Sequence, residues 1–227
     1  MSPKYNRTPH LPFSPGGTSD DRRLASVEGF LHTEIVLTEK MDGSNVCLQA
    51  DGCFARSHAS PPVHPSFDAF KAFHSTVKRL IPADYQIFGE WCFAKHSIWY
   101  NALPHHFLAF GVRDLTRDLW LSWDEVTMWA EELGVPTVPV LARESGFNRE
   151  WKIRDLVEGH VRIPTRMDVI TPSGKYGERE GGVLRKACSF KNAEFGKSVA
   201  KWVRKDHVQT DEHWKDQAIV RNLLRVQ

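Results

Sequence analysis

No stretch of this chain is long and apolar enough to read as a membrane span, and no charged-then-apolar leader opens it. A membrane protein is excluded on this reading, and an unexported, cytoplasmic one is expected. Cysteine is scarce. Cys47, Cys53, Cys92 and Cys188 form no Cys-x-x-Cys pair and no metal-finger spacing, so neither a disulfide scaffold nor structural zinc organises the fold, and the four read as reduced core or strand residues. The 11 histidines, among them His58, His64, His74 and the pair His105-His106, show no helical His-x-x-x-His spacing, which leaves a zinc site unsupported. An excess of one charge is also missing. Lys and Arg number 30 against 28 Asp and Glu, a net charge of +2, so a polyanionic partner would have to be met by a local patch. Ser173-Gly174-Lys175 lacks the glycine spacing of a Walker loop, and no internal repeat is present.

What is present suffices for one sizeable domain with a buried core. Residues 1–31 are rich in proline, glycine, serine and charge, notably over Pro12–Arg23. They read as an extended segment. Either it is a flexible leader, which its composition favours, or it lies over the mouth of a site and presents His10, Ser14, Arg22 and Arg23 to a phosphate. From Thr33 the pattern turns to short β-like runs at Glu34–Thr38, Asn45–Ala50 and Cys53–Arg56, the last two joined by an Asp51-Gly52 hairpin turn. A helix is predicted from Ser66 to just before Pro82, with Phe67, Phe70, Phe73, Val77 and Leu80 on its core face. Strands follow at Tyr85–Phe93 and Phe107–Val112. Ser122 and Glu125 make a capping box for a helix running to about Leu133 with Gly134 as its stop, and Leu156 and Val157 fall in a shorter helix. A polar loop at 173–179 feeds a strand at 182–186. Strands interspersed with few helices give an α+β class.

Lys40, in the run Glu39-Lys40-Met41-Asp42-Gly43-Ser44-Asn45, falls in the connection between the first two strands, where a rigid sheet can hold it. A lysine amine is a poor nucleophile while protonated and becomes a good one when desolvation or cationic neighbours remove its charge. An acid two residues on can orient it, and a glycine lets the backbone approach a ligand closely. On its own Lys-x-Asp-Gly better suits an exposed hairpin turn, with Asp-Gly supplying the positive φ angles. The tetrapeptide alone leaves both readings open.

Downstream lie Ala55-Arg56-Ser57, Ile87-Phe88-Gly89-Glu90-Trp91, Phe107–Asp114, Glu180-Gly181-Gly182-Val183-Leu184-Arg185-Lys186 and Phe190-Lys191-Asn192. In that order they resemble the successive motifs of the lysine-dependent covalent nucleotidyltransferases, and most closely ATP-dependent RNA ligases of the phage RNA ligase 2 type. The likeness covers roughly residues 33 to 195. It implies a nucleotidyltransferase domain of mainly antiparallel sheets flanked by helices over 32–196, preceded by the extended segment 1–31 and followed by a short basic helical tail over 197–227. In that tail Val199, Trp202 and Val203 would form an apolar face that docks on the domain, with Lys201, Arg204 and Lys205 on or beside an exposed face that would contact a nucleic-acid backbone. His207 and His213 also lie there and could bind phosphate, though a solvated face is the plainer reading. So few residues after the last motif cannot form the oligonucleotide-binding barrel of DNA ligases and capping enzymes.

The resemblance also implies roles. Lys40 would take AMP from ATP, with Asp42 in support. Lys191 would contact the α-phosphate; the family's second lysine, two positions earlier, is Ser189 here, so Lys186 or Arg185 would have to substitute. Glu180 would bind Mg2+ or Mn2+ through water, a hard cation suited to an oxygen site. Glu90 would meet the ribose hydroxyls, Phe110 would stack on the adenine, Arg56 would lie near the ribose and substrate phosphate, Asn45 would help place the metal or a 5′-phosphate, and the Glu39 backbone would read the base. The implied activity is the sealing of RNA 5′-phosphate and 3′-hydroxyl ends in RNA repair; the sequence is silent on a partner kinase or phosphatase that would heal the ends first. The alternatives are a DNA-nick ligase, a guanylyltransferase, or a non-catalytic RNA-binding module.

Overall fold

A computed structural model describes residues 4–17, 21–56, 60–165, 167, 177–205, 207 and 218–225. Ser57, His58, His213 and residues 173–176 of the predicted polar loop lie outside them. Strand β1 (Ile35–Lys40) is the run predicted at 34–38, and its residues are buried on both faces: Ile35 and Leu37 toward one core, Val36 toward another. Such a strand needs neighbours on both edges. It pairs antiparallel with β7 (Val140–Glu144) and with β8 (Gly181–Lys186), and β10 (Val199–Val203) extends the sheet beyond β8.

The second sheet has six strands in the order β3-β2-β4-β5-β6-β9, all antiparallel: β2 (Ser44–Leu48), β3 (Cys53–Ala55), β4 (Tyr85–Trp91), β5 (Phe107–Asp114), β6 (Leu119–Trp120) and β9 (Phe190–Lys191). Helix α1 (Asp68–Val77) covers its outer face with Phe70 and Val77, beside α2 (Trp123–Glu132). The predicted capping box is present: the Glu125 amide donates to Ser122 Oγ at 3.3 Å and the Ser122 amide donates to Glu125 Oε2 at 2.8 Å. Gly134 stops the helix at φ +66°. Leu80, expected on the core face, is exposed; the chain tightens into a 3-10 turn at Lys78–Leu80, and the change of period rotates it outward. Helix α3 (Glu150–Val161) packs Ile153, Val157 and Val161 under the four-stranded sheet.

Two expectations for the chain ends are corrected. Residues 199–203 form the strand β10, not a helix, and α4 (Phe195–Ser198) is a single turn leading into it. Val199, Trp202 and Val203 fit helical spacing, but the open edge of β8 selects the extended form and buries Ala200 and Trp202 beneath the sheet. A domain boundary at 196 would therefore cut the sheet. The N-terminal segment, favoured above as a leader, is instead laid along β10: the Lys201 amide donates to Pro9 O, the Leu11 amide to Lys201 O and the Gly16 amide to Val203 O, each at 2.8 Å. Leu11 and Phe30 are fully buried, each contributing roughly 1.5–3 kcal/mol of burial. Residues 218–225 return along 93–103, where Leu223 exchanges backbone bonds with Tyr100 and Leu103.

Candidate active site

Strand periodicity sets which side chains meet. In the four-stranded sheet the register Thr38↔Val183↔Lys201, with Lys40 two residues beyond Thr38, places Thr38, Lys40, Val183 and Lys201 on one face. In the six-stranded sheet Asn45↔Glu90 and Cys47↔Phe88 share the face that meets it across a third apolar cluster, which includes Phe88, Trp120, Phe195 and Val199. Lys40, at the last position of β1, ends where the two sheets approach.

Its amine pairs with Glu180 Oε1 at 2.6 Å. Burial works against the ammonium, but Glu180, Glu90 and Asp42 together raise the lysine pKa above its ordinary value. Lys40 is therefore a protonated amine held by acids in this arrangement. Burial raises both partner carboxyls, Glu90 to about 8, with Lys40 opposing the shift in each case and the other acids adding to it. Glu180 Oε2 is buried with no hydrogen-bond partner among the described residues.

Asp42 is set by its backbone neighbours. Its own amide donates to the Tyr100 hydroxyl at 3.0 Å, and its Oδ2 accepts from the amides of Ser97 and Ile98, both at 2.7 Å. Burial alone would raise its pKa; His207 and the Ile98 amide hold it below the usual carboxylate range. His207, reached just past β10, lies with Nε2 3.6 Å from Asp42 Oδ1 and 3.7 Å from Glu180 Oε1. Gly43 donates to Glu90 Oε1 at 3.2 Å, and a side chain there would crowd the Trp91 carbonyl at 2.8 Å, so the glycine serves the junction of β2 and β4 directly.

Asn45 lies opposite Glu90, and its Oδ1 is buried without a partner among the described residues. Arg56 falls one residue beyond the Val46↔Ala55 pair, hence level with Asn45. Phe110 is the unpaired residue of a β-bulge, between the Phe88↔Gly111 and Gly89↔Ala109 pairs, a device that re-aims a side chain. Its ring meets that of Tyr5 edge-on at 5.2 Å. Glu39 turns to the opposite face of β1 and pairs with Arg179 at 3.0 Å, while its amide donates to Pro139 O.

Two predicted members are not brought in. Lys186 pairs with Ile35, at the far end of β1 from Lys40, roughly 17 Å along the strand. Lys191 is exposed on β9, at the edge of the six-stranded sheet, with its amine donating to Arg117 O at 2.9 Å. Arg185, the other substitute, is buried and spends its guanidinium on the carbonyls of Leu121, Phe110 and Lys186. Among the described residues Lys201 does face the site; its pKa is lowered by burial, with Asp21, 3.2 Å away, opposing the shift and Lys40 adding to it. Sequence reasoning missed Lys201, Tyr100 and Tyr5, and left His207 in a solvated tail. The β-branched and aromatic residues of Val199-Ala200-Lys201-Trp202-Val203 were the available signal for the first.

A family model described as RNA ligase matches residues 33–203. A comparison with curated protein sequences finds no match. Among solved structures, the chain is similar to Naegleria gruberi RNA ligase with PPi, at TM-score 0.56 and 18% identity over 96% of this chain and 64% of that one. An archaeal ATP-dependent RNA ligase aligns at TM-score 0.53 and 14% identity over 88% and 48%, and a point mutant of the Naegleria gruberi RNA ligase with ATP and Mn at 0.52 and 16% over 81% and 53%. The chain thus spans between 48% and 64% of the length of these structures. At such identities the likeness shows a shared fold. Among the described residues no helix is long and apolar enough to cross a membrane.

Proposed function

The chain belongs to the RNA ligase family, and we propose that it is an ATP-dependent RNA ligase that works through a lysyl-AMP on Lys40. The observation that carries this reading is the strand-end position of Lys40, with its amine on Glu180 and the half-buried Glu90 beside it. Lys40 Nζ would attack the α-phosphorus of ATP, forming a P–N bond as the bond to the β-phosphate oxygen breaks and pyrophosphate leaves. AMP would then pass to an RNA 5′-phosphate, and a 3′-hydroxyl would displace it to seal the strand. Such ends suit RNA repair, downstream of an enzyme that leaves a 5′-phosphate and a 3′-hydroxyl.

Attack requires Lys40 to lose its proton, and the acids around it, Glu180 foremost, oppose that loss. Asp42 and Glu180 are the residues that would hold a divalent ion; their donor oxygens, with His207, fall within 4.8 Å of one another. Bound there, the ion supplies charge that offsets the transferring phosphoryl group. With Glu180 so engaged, the lysine loses its counter-ion and its neutral form gains. Lys201 replaces Lys191 in this reading as the cation for the α-phosphate, since it shares the sheet face of Lys40. Phe110, re-aimed by its bulge, would stack on the base, with Glu90 toward the ribose and Arg56 and Asn45 toward phosphate.

The test is label transfer from α-labelled ATP with Mg2+ or Mn2+ to the purified chain, run beside three variants. Label on the parent, none on Lys40→Ala, a drop of about 100-fold or more for Lys201→Ala and near-parental label for Lys191→Ala are expected. No label on folded, AMP-free parent protein would refute a ligase and leave an RNA-binding module. Loss in Lys191→Ala with retention in Lys201→Ala would return the phosphate contact to β9.

A further inference from the structure

We propose that Asp21, on the N-terminal segment, is a positioning residue for the transfer of AMP to Lys40, and that it acts by holding the Lys201 ammonium where the α-phosphate must sit. The inference rests on the reading that Lys201 is the cation for that phosphate. It adds a residue that lies outside every sequence motif and outside the family match at 33–203.

The distance between the two lysines is the first argument. Lys201 and Lys40 share one face of the four-stranded sheet, two strands apart and two residues out of line. At about 4.8 Å per strand and 3.3 Å per residue their α-carbons lie roughly 12 Å apart, a gap that two lysine side chains bent toward one phosphate can close. A lysine carries a point charge on a flexible four-carbon stem, so the charge is placed only where something holds it. Asp21 Oδ1 accepts from Lys201 Nζ at 3.2 Å, and the two side chains are 22% and 20% exposed.

Asp21 is itself held, which is the second argument. The His10 amide donates to Arg22 O at 2.7 Å and the Leu24 amide donates to His10 O at 2.8 Å, so the chain around Asp21 is pinned to the residue that lies against Lys201 on β10. Ser14 Oγ accepts from the Val203 amide at 3.0 Å and stands 2.9 Å from His10 Nδ1, closer than the two carbonyls at 3.5 Å that compete for its hydrogen. That bond makes Nδ1 an acceptor and assigns the ring proton to Nε2, 3.4 Å from Asp21 Oδ2. Burial, then Lys201, lowers the His10 pKa to about 4 against the pull of Asp21, so the ring is neutral at ordinary pH. Arg7 Nη2 lies 3.8 Å from Asp21 Oδ1.

The surroundings of Lys201 give the sign of the effect. Asp21 and His10 face it from the N-terminal segment, Lys40 from β1 and Glu180 from just before β8. Burial works against its charge; Asp21 sustains it, Lys40 opposes it and Glu180 adds support. Without the Asp21 carboxylate the amine is less charged and unplaced, and AMP transfer slows. Two competing explanations predict otherwise. An Asp21 that only ties the N-terminal segment to β10 would affect stability and leave the chemistry alone, and an Asp21 that competes with the phosphate would, once removed, accelerate it.

The experiment is single-turnover label transfer from α-labelled ATP to the full chain, with Asp21→Asn, Asp21→Glu, Lys201→Ala and the double variant Asp21→Asn/Lys201→Ala, each checked for folding by circular dichroism. Asp21→Asn is expected to slow transfer about tenfold or more with the ATP concentration for half-maximal rate changed less than about threefold, and Asp21→Glu to restore most of the rate. Lys201→Ala should be slower still, and the double variant no slower than Lys201→Ala, because Asp21 acts only through the lysine. A parental or faster rate in Asp21→Asn, a further loss of about tenfold in the double variant, or unfolding of Asp21→Asn would each overturn the proposal. Retained label in Lys201→Ala would overturn both this inference and the role of Lys201, whereas loss there with retention in Asp21→Asn overturns this inference alone.

Discussion

Glu90 carries a cost that its position imposes. Burial lifts its carboxyl from 4.5 to about 8, so over that interval the folded chain holds a proton that the unfolded chain has released. A state that binds more protons loses stability as pH rises, so folding stability should fall between about pH 4.5 and 8 and level off above it. Urea midpoints at pH 5 and pH 8 measure the fall, and Glu90→Gln should flatten it; an equal slope in the variant would place the proton elsewhere. Residues of this kind were legible early. Lys40, Glu90 and Glu180 each sit in a short local run whose residue types suit the chemistry, and local runs survive in a sequence. Lys191 lies away from Lys40 for the complementary reason: Phe190-Lys191-Asn192 has the right types, but the strand lying beside β8 comes ten residues later, and adjacency between strands leaves no local trace.

At the scale of elements, β10 shows why. Its five residues satisfy helical and strand patterns equally, and the decision belongs to the exposed edge of β8. The capping box of α2 is the contrasting case, since both partners lie within one turn and nothing distant can overrule them. The closeness of β8 and β10 is set by Gly181, where an added Cβ would overlap the Trp202 carbonyl oxygen. Gly181→Ala should therefore push the strands apart at a cost of about 1–3 kcal/mol. Chemical denaturation would measure the loss, and the accompanying shift of Lys201 should lower label transfer; unchanged stability would mean that β10 yields freely.

Across the whole molecule, described residues near both ends pack into the body. Tyr5 meets Phe88, Phe110, Trp120 and Phe195, each at 5.2 Å between ring centres, and Asn222 donates to Cys92 O and accepts from the Tyr100 amide in the loop that holds Asp42. Tyr5→Ala should cost about 3 kcal/mol and Tyr5→Phe less than about 1.5, by urea denaturation; equal stability of all three chains would show that the aromatic cluster closes without it.

The position of His207 and Glu180 against Lys40 also has a consequence in time. Lys40 is synthesised early, yet its ion-pair partner follows 140 residues later and His207 later still. At about 5–20 residues per second, a growing chain carries its lysine for on the order of ten seconds before the acids and the imidazole exist to surround it. A nascent chain therefore carries the strand of Lys40 before the groups that surround the lysine exist, and the cluster closes only as the sheet is completed.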